Sequence, residues 1–275
     1  MMPLKQEKKQ KKNILDNYDN KMKGSIVMEL NSLVILGNEF CNYNCEHCLR
    51  GPSRNNRMSR ETLEKFLSQV SCIYDVTFTG GEVTLYLEPI RWFIDICREK
   101  DIYVGGFYIV TNGHKYVPEL IELCDEMYYN LCYDNEISGL AISDDPYHRV
   151  FQPDNFKDIH LKYRYAYSED EYYDDEERPY FRNEDKVWQT NISLINEGNA
   201  RTNMIGEREV QYYEKGEAEE ISDLDMILLR HNGDLFSSCD LSYDSMDEMA
   251  KNQDRAYIGN INQDTLENIL NNFIK

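Results

Sequence analysis

No apolar run in this chain approaches the roughly 18 residues that a membrane span requires. Nor does an apolar stretch follow the Lys-rich N-terminus, which excludes the pattern of a secretory signal. Basic charge is scarce: 30 Lys and Arg stand against 50 Asp and Glu, for a net charge of −20. A surface this acidic repels a phosphate backbone, which argues against nucleic acid as a general partner. No repeat is visible, and only one group of closely spaced cysteines exists. These absences together predict a cytoplasmic protein with no membrane attachment. In that compartment the eight cysteines are read as thiols or metal ligands before disulfides.

What is present suits one large core with a small appendage, or two modest domains. The 275 residues, 41% apolar and 29% charged, are ordinary for a globular chain. A chain of this length buries roughly three quarters of its unfolded surface. Residues 1–24, rich in Lys5, Lys8, Lys9, Lys11 and Lys12, read as a mobile polar tail. From Ile26 strands and helices alternate. Leu33 to Leu36 reads as a buried strand. Ser59 caps a helix with Leu63, Phe66, Leu67 and Val70 on one face, stapled by Met58. Val76 to Thr79 is a second strand, and a helix opening near Pro89 buries Ile90, Phe93, Ile94 and Cys97. Tyr103 to Val110 is a third strand, followed by a helix with Val117, Leu120, Ile121 and Cys124 on its apolar face. Gly139 to Ile142 is a fourth strand. This βαβαβαβ order predicts a parallel α/β sheet, open or closed into a barrel. Polar or Gly-rich segments follow each strand, on the rim where such folds build their sites.

Further along, Ile159 to Ala166 and Trp188 to Ile195 read as strands, and the acidic segments 169–177 and 214–225 as solvated loops or helix faces. Met226–Arg230 and Leu235–Ser237, joined through Asn232-Gly233, predict a hairpin with a type I′ turn. Asp264 is placed to cap a last helix, with Glu267 as its reciprocal partner and Leu266, Ile269, Leu270, Phe273 and Ile274 on its face.

The chemistry concentrates in Cys41-Asn-Tyr-Asn-Cys45-Glu-His-Cys48. Three thiolates this close repel one another unless a cation or cluster neutralises them. Structural zinc takes four ligands, with His47 as the nearby fourth, but adjacency to Cys48 places His47 poorly on the same ion. An iron–sulfur cluster held by three thiolates leaves one iron open for a ligand.

The spacing C-x3-C-x2-C after the first strand resembles that of the radical S-adenosylmethionine superfamily. Gly80-Gly81-Glu82 after the second strand, Thr111-Asn112-Gly113 after the third and Ser143-Asp144-Asp145 after the fourth match it in order. The resemblance is clear over residues 30–150. It implies a partial (β/α)6 TIM-type barrel at 25–220, in which Cys41, Cys45 and Cys48 bind a [4Fe–4S] cluster whose fourth iron chelates S-adenosylmethionine. Glu82 would then meet the methionine ammonium, with Gly80 and Gly81 allowing close backbone approach. His47, Thr111, Asn112, Ser143 and Asp145 would contact the rest of the cofactor. Val83 stands where the family often has proline.

The segment Asn232-Gly233-Asp234 to Cys239, followed by Ile258-Gly259-Asn260 and Thr265-Leu-Glu267, resembles the opening of the SPASM or twitch extension of peptide-modifying members. Residues 221–275 are accordingly expected to form a reduced extension without a second cluster. Cys239 is either a packed remnant or a hydrogen-atom donor to a substrate radical. His148 is a candidate acid or base, and Arg50 a candidate partner for a substrate carboxylate. Cys72, Cys97, Cys124 and Cys132 read as core. The resemblance implies an enzyme that abstracts a hydrogen atom, most readily from a peptide or protein, fed by an electron donor such as flavodoxin or ferredoxin. A small-molecule substrate is the second reading, and a non-catalytic zinc-binding or regulatory protein with zinc on Cys41, Cys45 and Cys48 the third.

Overall fold

A computed structural model describes residues 28–134, 138–143, 145–156 and 194–275. The N-terminal tail, Asp144, the acidic segment 169–177 and the strand expected at 159–166 lie outside the described residues. So does most of the strand expected at 188–195; its last residue, Ile195, makes an isolated bridge with Arg208.

The first strand, β1 (Met28–Asn38), is longer than its apolar centre suggested, and almost wholly buried from Leu33 onward. Helix α1 (Arg60–Leu67) follows, capped by Ser59, whose hydroxyl accepts from Thr62 N at 3.1 Å as expected. Strand β2 (Val70–Gly80) leads through a 3-10 turn (Val83–Leu85) into α2 (Glu88–Lys100). Strand β3 (Tyr103–Thr111), α3 (Pro118–Asn130), β4 (Gly139–Ile142) and the short α4 (Pro146–Arg149) complete the alternation. Beyond them lie α5 (Gly198–Thr202), β5 (Ile227–Leu229), β6 (Asp234–Phe236), α6 (Tyr243–Asn252), β7 (Tyr257–Asn260) and α7 (Leu266–Phe273).

These strands form one open sheet of seven, in the order β4-β3-β2-β1-β5-β6-β7. Strands β1 to β4 are parallel to their neighbours, and β5 runs parallel to β1 on its other edge. β6 and β7 are antiparallel. The fold is thus the mixed, mostly parallel α/β class of a partial barrel, and among the described residues the sheet is not closed. Side chains of β1 explain its continuous apolar run, because both faces are covered. Leu33 and Ile35 join the core packed by α1, α2, α3 and α7, while Val34 and Leu36 join a second core with Leu228, Phe236, Tyr243, Met246 and Met249.

Two local expectations are corrected. The β5–β6 hairpin exists, but its turn is not type I′, because Asn232 does not take a positive φ. Instead Gly233 N donates to the Arg230 carbonyl at 3.0 Å, with Gly233 alone at φ 88°. Asn232 is held by its side chain, whose Nδ2 donates to Asp234 Oδ2 at 2.6 Å while its Oδ1 accepts from Asp234 N. The second correction moves the cap of α7 to Thr265, whose hydroxyl accepts from Asn268 N at 3.3 Å. Asp264 stands one residue outside, accepting from Thr265 N at 2.7 Å.

Candidate active site

In a parallel sheet the C-terminal ends of all strands meet on one rim. Here Asn38, Gly80, Thr111 and Ile142 end β1 to β4, and the cysteine loop leaves β1 directly above them. A cavity of about 350 Å³ opens on this rim. Cys41, Cys45 and Cys48 all line it, together with Gly80, Gly81, Glu82, Thr111, Asn112, Ser143, Asp145, His47 and His148. Its floor is apolar, from Val110, Ala141 and Ile142. A smaller adjoining cleft is lined by the same three cysteines with Arg50, Asn199 and Tyr243. Cys239 lies outside both linings. It packs beside the second core, with its thiol 3.5 Å from Asp240 Oδ1.

The Gly-Gly-Glu segment has a specific mechanical role. Gly81 N donates to Asn38 O and Glu82 N to Phe40 O, both at 2.9 Å, so β2's end is bonded to the start of the cysteine loop. A Cβ on Gly81 would press into the Phe40 carbonyl and come within 2.9 Å of Cys41 N. The close approach that needs glycine is therefore to the chain's own cysteine loop. Glu82, only 2% exposed, has its carboxylate held by four donors. Oε1 accepts from Thr84 N at 3.0 Å, Thr84 Oγ1 at 2.6 Å and Thr111 Oγ1 at 2.5 Å, and Oε2 accepts from Asn112 N at 2.7 Å. Thr111 thus holds Glu82. The Asn112 amide reaches back to Asn42 Oδ1 at 3.0 Å and lies 3.9 Å from Cys41 Sγ.

The thiols are electrostatically unhappy as a group. Burial pushes Cys41 up to about 11, with Glu82 and Cys48 adding to it, while bonds from Tyr43 N and Asn112 pull the other way. Burial and the two neighbouring thiols push Cys45 up to about 12. A cation or cluster offsets both the desolvation and the mutual repulsion.

Past β4, Asp145 caps α4, its Oδ1 accepting from Tyr147 N and His148 N. Its Oδ2 lies 2.5 Å from His148 Nδ1 and 3.8 Å from His47 Nε2. Burial works to raise the Asp145 carboxyl, but hydrogen bonds and charge from His148, with help from His47, bring it down to about 2. His47 stacks on Tyr147 with centroids 4.6 Å apart, and its Nδ1 is buried without a hydrogen-bond partner. Burial lowers its pKa, against the opposing pull of Asp145. Cys45, His47 and His148 offer ligand atoms within 4.8 Å of one another.

Sequence reasoning missed the residues that brace this loop from far along the chain. Glu39 is fully buried and meets Arg230, just past β5, at 2.6 Å (Oε1 to Nε). Burial lowers the Arg230 pKa, yet bonds and charge from Glu39 and Asp247 raise it overall. Asn199 on α5 donates from Nδ2 to Cys45 O at 2.8 Å and from its backbone N to Cys48 O at 2.9 Å. Glu197 accepts from Ser245 Oγ at 2.7 Å and Ser242 N at 3.2 Å, tying α5 to α6. Arg50, the candidate partner for a substrate carboxylate, is buried and donates to Leu241 O at 2.7 Å. Tyr243 is 1% exposed, and its hydroxyl has no hydrogen-bond partner.

No protein-family profile and no curated protein matches the chain. Solved structures do share its fold. BtrN, in complex with AdoMet and 2-DOIA, superposes over 90% of this chain and 84% of its own at a TM-score of 0.52 and 13% identity. Native anSMEcpe with bound AdoMet and Cp18Cys peptide gives a TM-score of 0.49 at 13% identity, over 90% of this chain and 83% of that one. SuiB of Streptococcus suis, bound to precursor peptide SuiA, gives 0.37 at 13% identity over 82% and 63%. At this identity the likeness to BtrN establishes a common fold.

Proposed function

We propose that this chain is a radical S-adenosylmethionine enzyme acting on an organic substrate at the rim of its parallel sheet. The observation that carries this reading is the convergence of Cys41, Cys45 and Cys48 with Gly81, Glu82 and Asn112 around one cavity, each from a loop following a different strand or from the cysteine loop itself. The donor set fits a [4Fe–4S] cluster: three buried or half-buried thiols share a cleft also lined by Tyr243, whose buried hydroxyl has no partner. When bound, such a cluster with S-adenosylmethionine supplies one-electron cleavage of the sulfonium and a 5′-deoxyadenosyl radical that takes a substrate hydrogen atom.

The chain's own residues bind, orient and shield. Cys41, Cys45 and Cys48 are the cluster ligands. Glu82, Asn112, Ser143 and Asp145 present polar atoms to the cavity for the ammonium, carboxylate and ribose groups, and Val110, Ala141 and Ile142 exclude water beneath. His148, fixed by Asp145, is the side chain placed to hold or move a proton on the substrate side. A peptide or protein is the leading substrate, on the resemblance of residues 232–267 to the extensions of peptide-modifying enzymes. A small molecule is the second, favoured by the common fold with BtrN, whose complex contains 2-DOIA.

The third reading is zinc on Cys41, Cys45 and Cys48; the grouping of Cys45, His47 and His148 ligand atoms within 4.8 Å offers zinc a second donor set. Anaerobic reconstitution separates the readings. About four iron and four sulfide per chain, with 5′-deoxyadenosine formed from S-adenosylmethionine and reductant and lost in Cys45→Ala, is the expected result. Zinc near one per chain without sulfide would overturn it.

A further inference from the structure

Buried hydroxyls in folded proteins are almost always hydrogen-bonded, because one left without a partner is destabilising. Tyr243 breaks that rule. Its ring is fixed from several sides: Arg54 lies over it at 5.3 Å, its backbone N donates to Arg50 O at 3.1 Å, and its body belongs to the core against β1 and β5. The ring therefore has little freedom to seek another partner. Its hydroxyl is unpartnered, and the residue lines the cleft formed by Cys41, Cys45 and Cys48. Several other polar groups of that cleft are already engaged. Glu39 Oε1 is bonded to Arg230 and Oε2 to Asn56, Ser53 Oγ accepts from Cys41 N, and the Asn199 amide donates to Cys45 O. The thiols of Cys48 and Cys41 lie near enough to the phenol to act on it electrostatically, and sulfur is an acceptor the cleft offers it.

We propose that Tyr243 donates its phenolic O–H to a sulfur of the cluster held by Cys41, Cys45 and Cys48, and so makes that cluster easier to reduce; this rests on the iron–sulfur reading above. Burial raises the phenol's pKa above its ordinary value, so it is a neutral donor at neutral pH. A hydrogen bond to sulfur favours the reduced state, which carries more negative charge, and so raises the potential. Tyr243 stands at the start of α6, which with the β5–β6 hairpin packs against the edge of β1. That part of the chain would then tune the centre as well as cover it. Tyr243 is a positioning and tuning residue, since it touches the cluster and no reacting atom of the substrate.

The test is an EPR-monitored redox titration of anaerobically reconstituted wild type and Tyr243→Phe, with iron and sulfide counted in both. Phe keeps the ring packing and removes only the hydroxyl. The reduction equilibrium at fixed reductant should fall threefold to tenfold in the variant, tenfold corresponding to about 59 mV for one electron. Meanwhile the apoprotein should melt no lower than wild type, because an unmet buried group has been removed. Equal midpoint potentials with full clusters in both would overturn the inference. Failure of the wild type to take up iron and sulfide would instead overturn the reading it rests on. Should Tyr243→Phe lose its cluster, 3-fluorotyrosine in place of Tyr243 decides: the stronger donor must raise the potential, and no change refutes the bond.

Discussion

Replacing Arg230 with Met should be among the most damaging single changes available outside the cysteines. Arg230 is 2% exposed and Glu39 fully buried, so neither charge has water to fall back on. In Arg230→Met, Glu39 keeps Asn56 Nδ2 at 2.7 Å, His231 Nε2 at 3.5 Å and Arg54 at 4.0 Å, but loses its one close charged donor. Removing one partner of a buried pair costs about 3–5 kcal/mol. The remaining neighbours place this case at the lower end, about 3 kcal/mol. For a chain of this size that is roughly 6–12 °C of melting temperature. Arg230 also meets Asp247 at 2.5 Å, but Asp247 is half-exposed, so Asp247→Asn should cost under about 1 kcal/mol. The informative variant is Glu39→Gln with Arg230→Met, in which no unpaired charge remains. It should recover most of the single variant's loss in a urea-unfolding double-mutant cycle on the apoprotein. Additive costs, or a loss below about 1 kcal/mol for Arg230→Met alone, would refute the reasoning. Because Glu39 lies two residues before Cys41, iron uptake by Arg230→Met should fall with its stability.

Gly81→Ala should fold yet load iron and sulfide poorly, since its Cβ would push on Phe40 O and Cys41 N; iron and sulfide counts after reconstitution check this, and full loading would contradict it. Asp145→Asn keeps the capping geometry of α4 and removes only the charge facing His148 and His47. The wild-type carboxyl, at about 2, lies below its ordinary value, so its contribution is present at neutral pH and fades as pH falls from about 4 through 2. Wild type should therefore melt above Asp145→Asn at pH 7 and level with it near pH 2, and a constant gap across that range would count against the pairing.

Much of this fold was legible because β1 to β4 and α1 to α3 are local patterns. The i, i+3, i+4 spacing of Leu63, Phe66 and Leu67 needs no knowledge of distant chain, and the Ser59 cap follows from its own next turn. Turn and cap details at 230–234 and 264–268 were misjudged where a side chain offered the backbone an alternative. Asn232 spends its amide and carbonyl on Asp234, which removes the need for two positive φ values. Asp264 is as good a capping residue as Thr265, and only the packing of Leu266 and Ile269 into the core decides between them. The place of β5 against β1 was illegible for another reason: parallel pairing across about two hundred residues leaves no local trace.

The site divides along the same line. Each residue expected to bind the cluster or cofactor stands at the last residue of a strand or in the loop after it, so its place on the rim could be read from the strand alone. The bracing residues have no such address. Glu39 and Arg230 are 191 positions apart, Asn199 and its partner Cys45 are 154 apart, and Glu39, Arg230 and Asn199 belong to no short motif. Their types give little away, since an exposed Glu or Asn has the same one-letter code as a buried one. What could have drawn attention is charge placement: Arg230 directly follows the apolar Met226-Ile-Leu-Leu229 of a strand, where a long cation enters the rim of a sheet already rich in carboxylates. The same logic reaches Tyr243. A tyrosine at the first turn of a helix is unremarkable until the sheet order sets that turn in one cleft with Cys41, Cys45 and Cys48, where its buried hydroxyl has no partner.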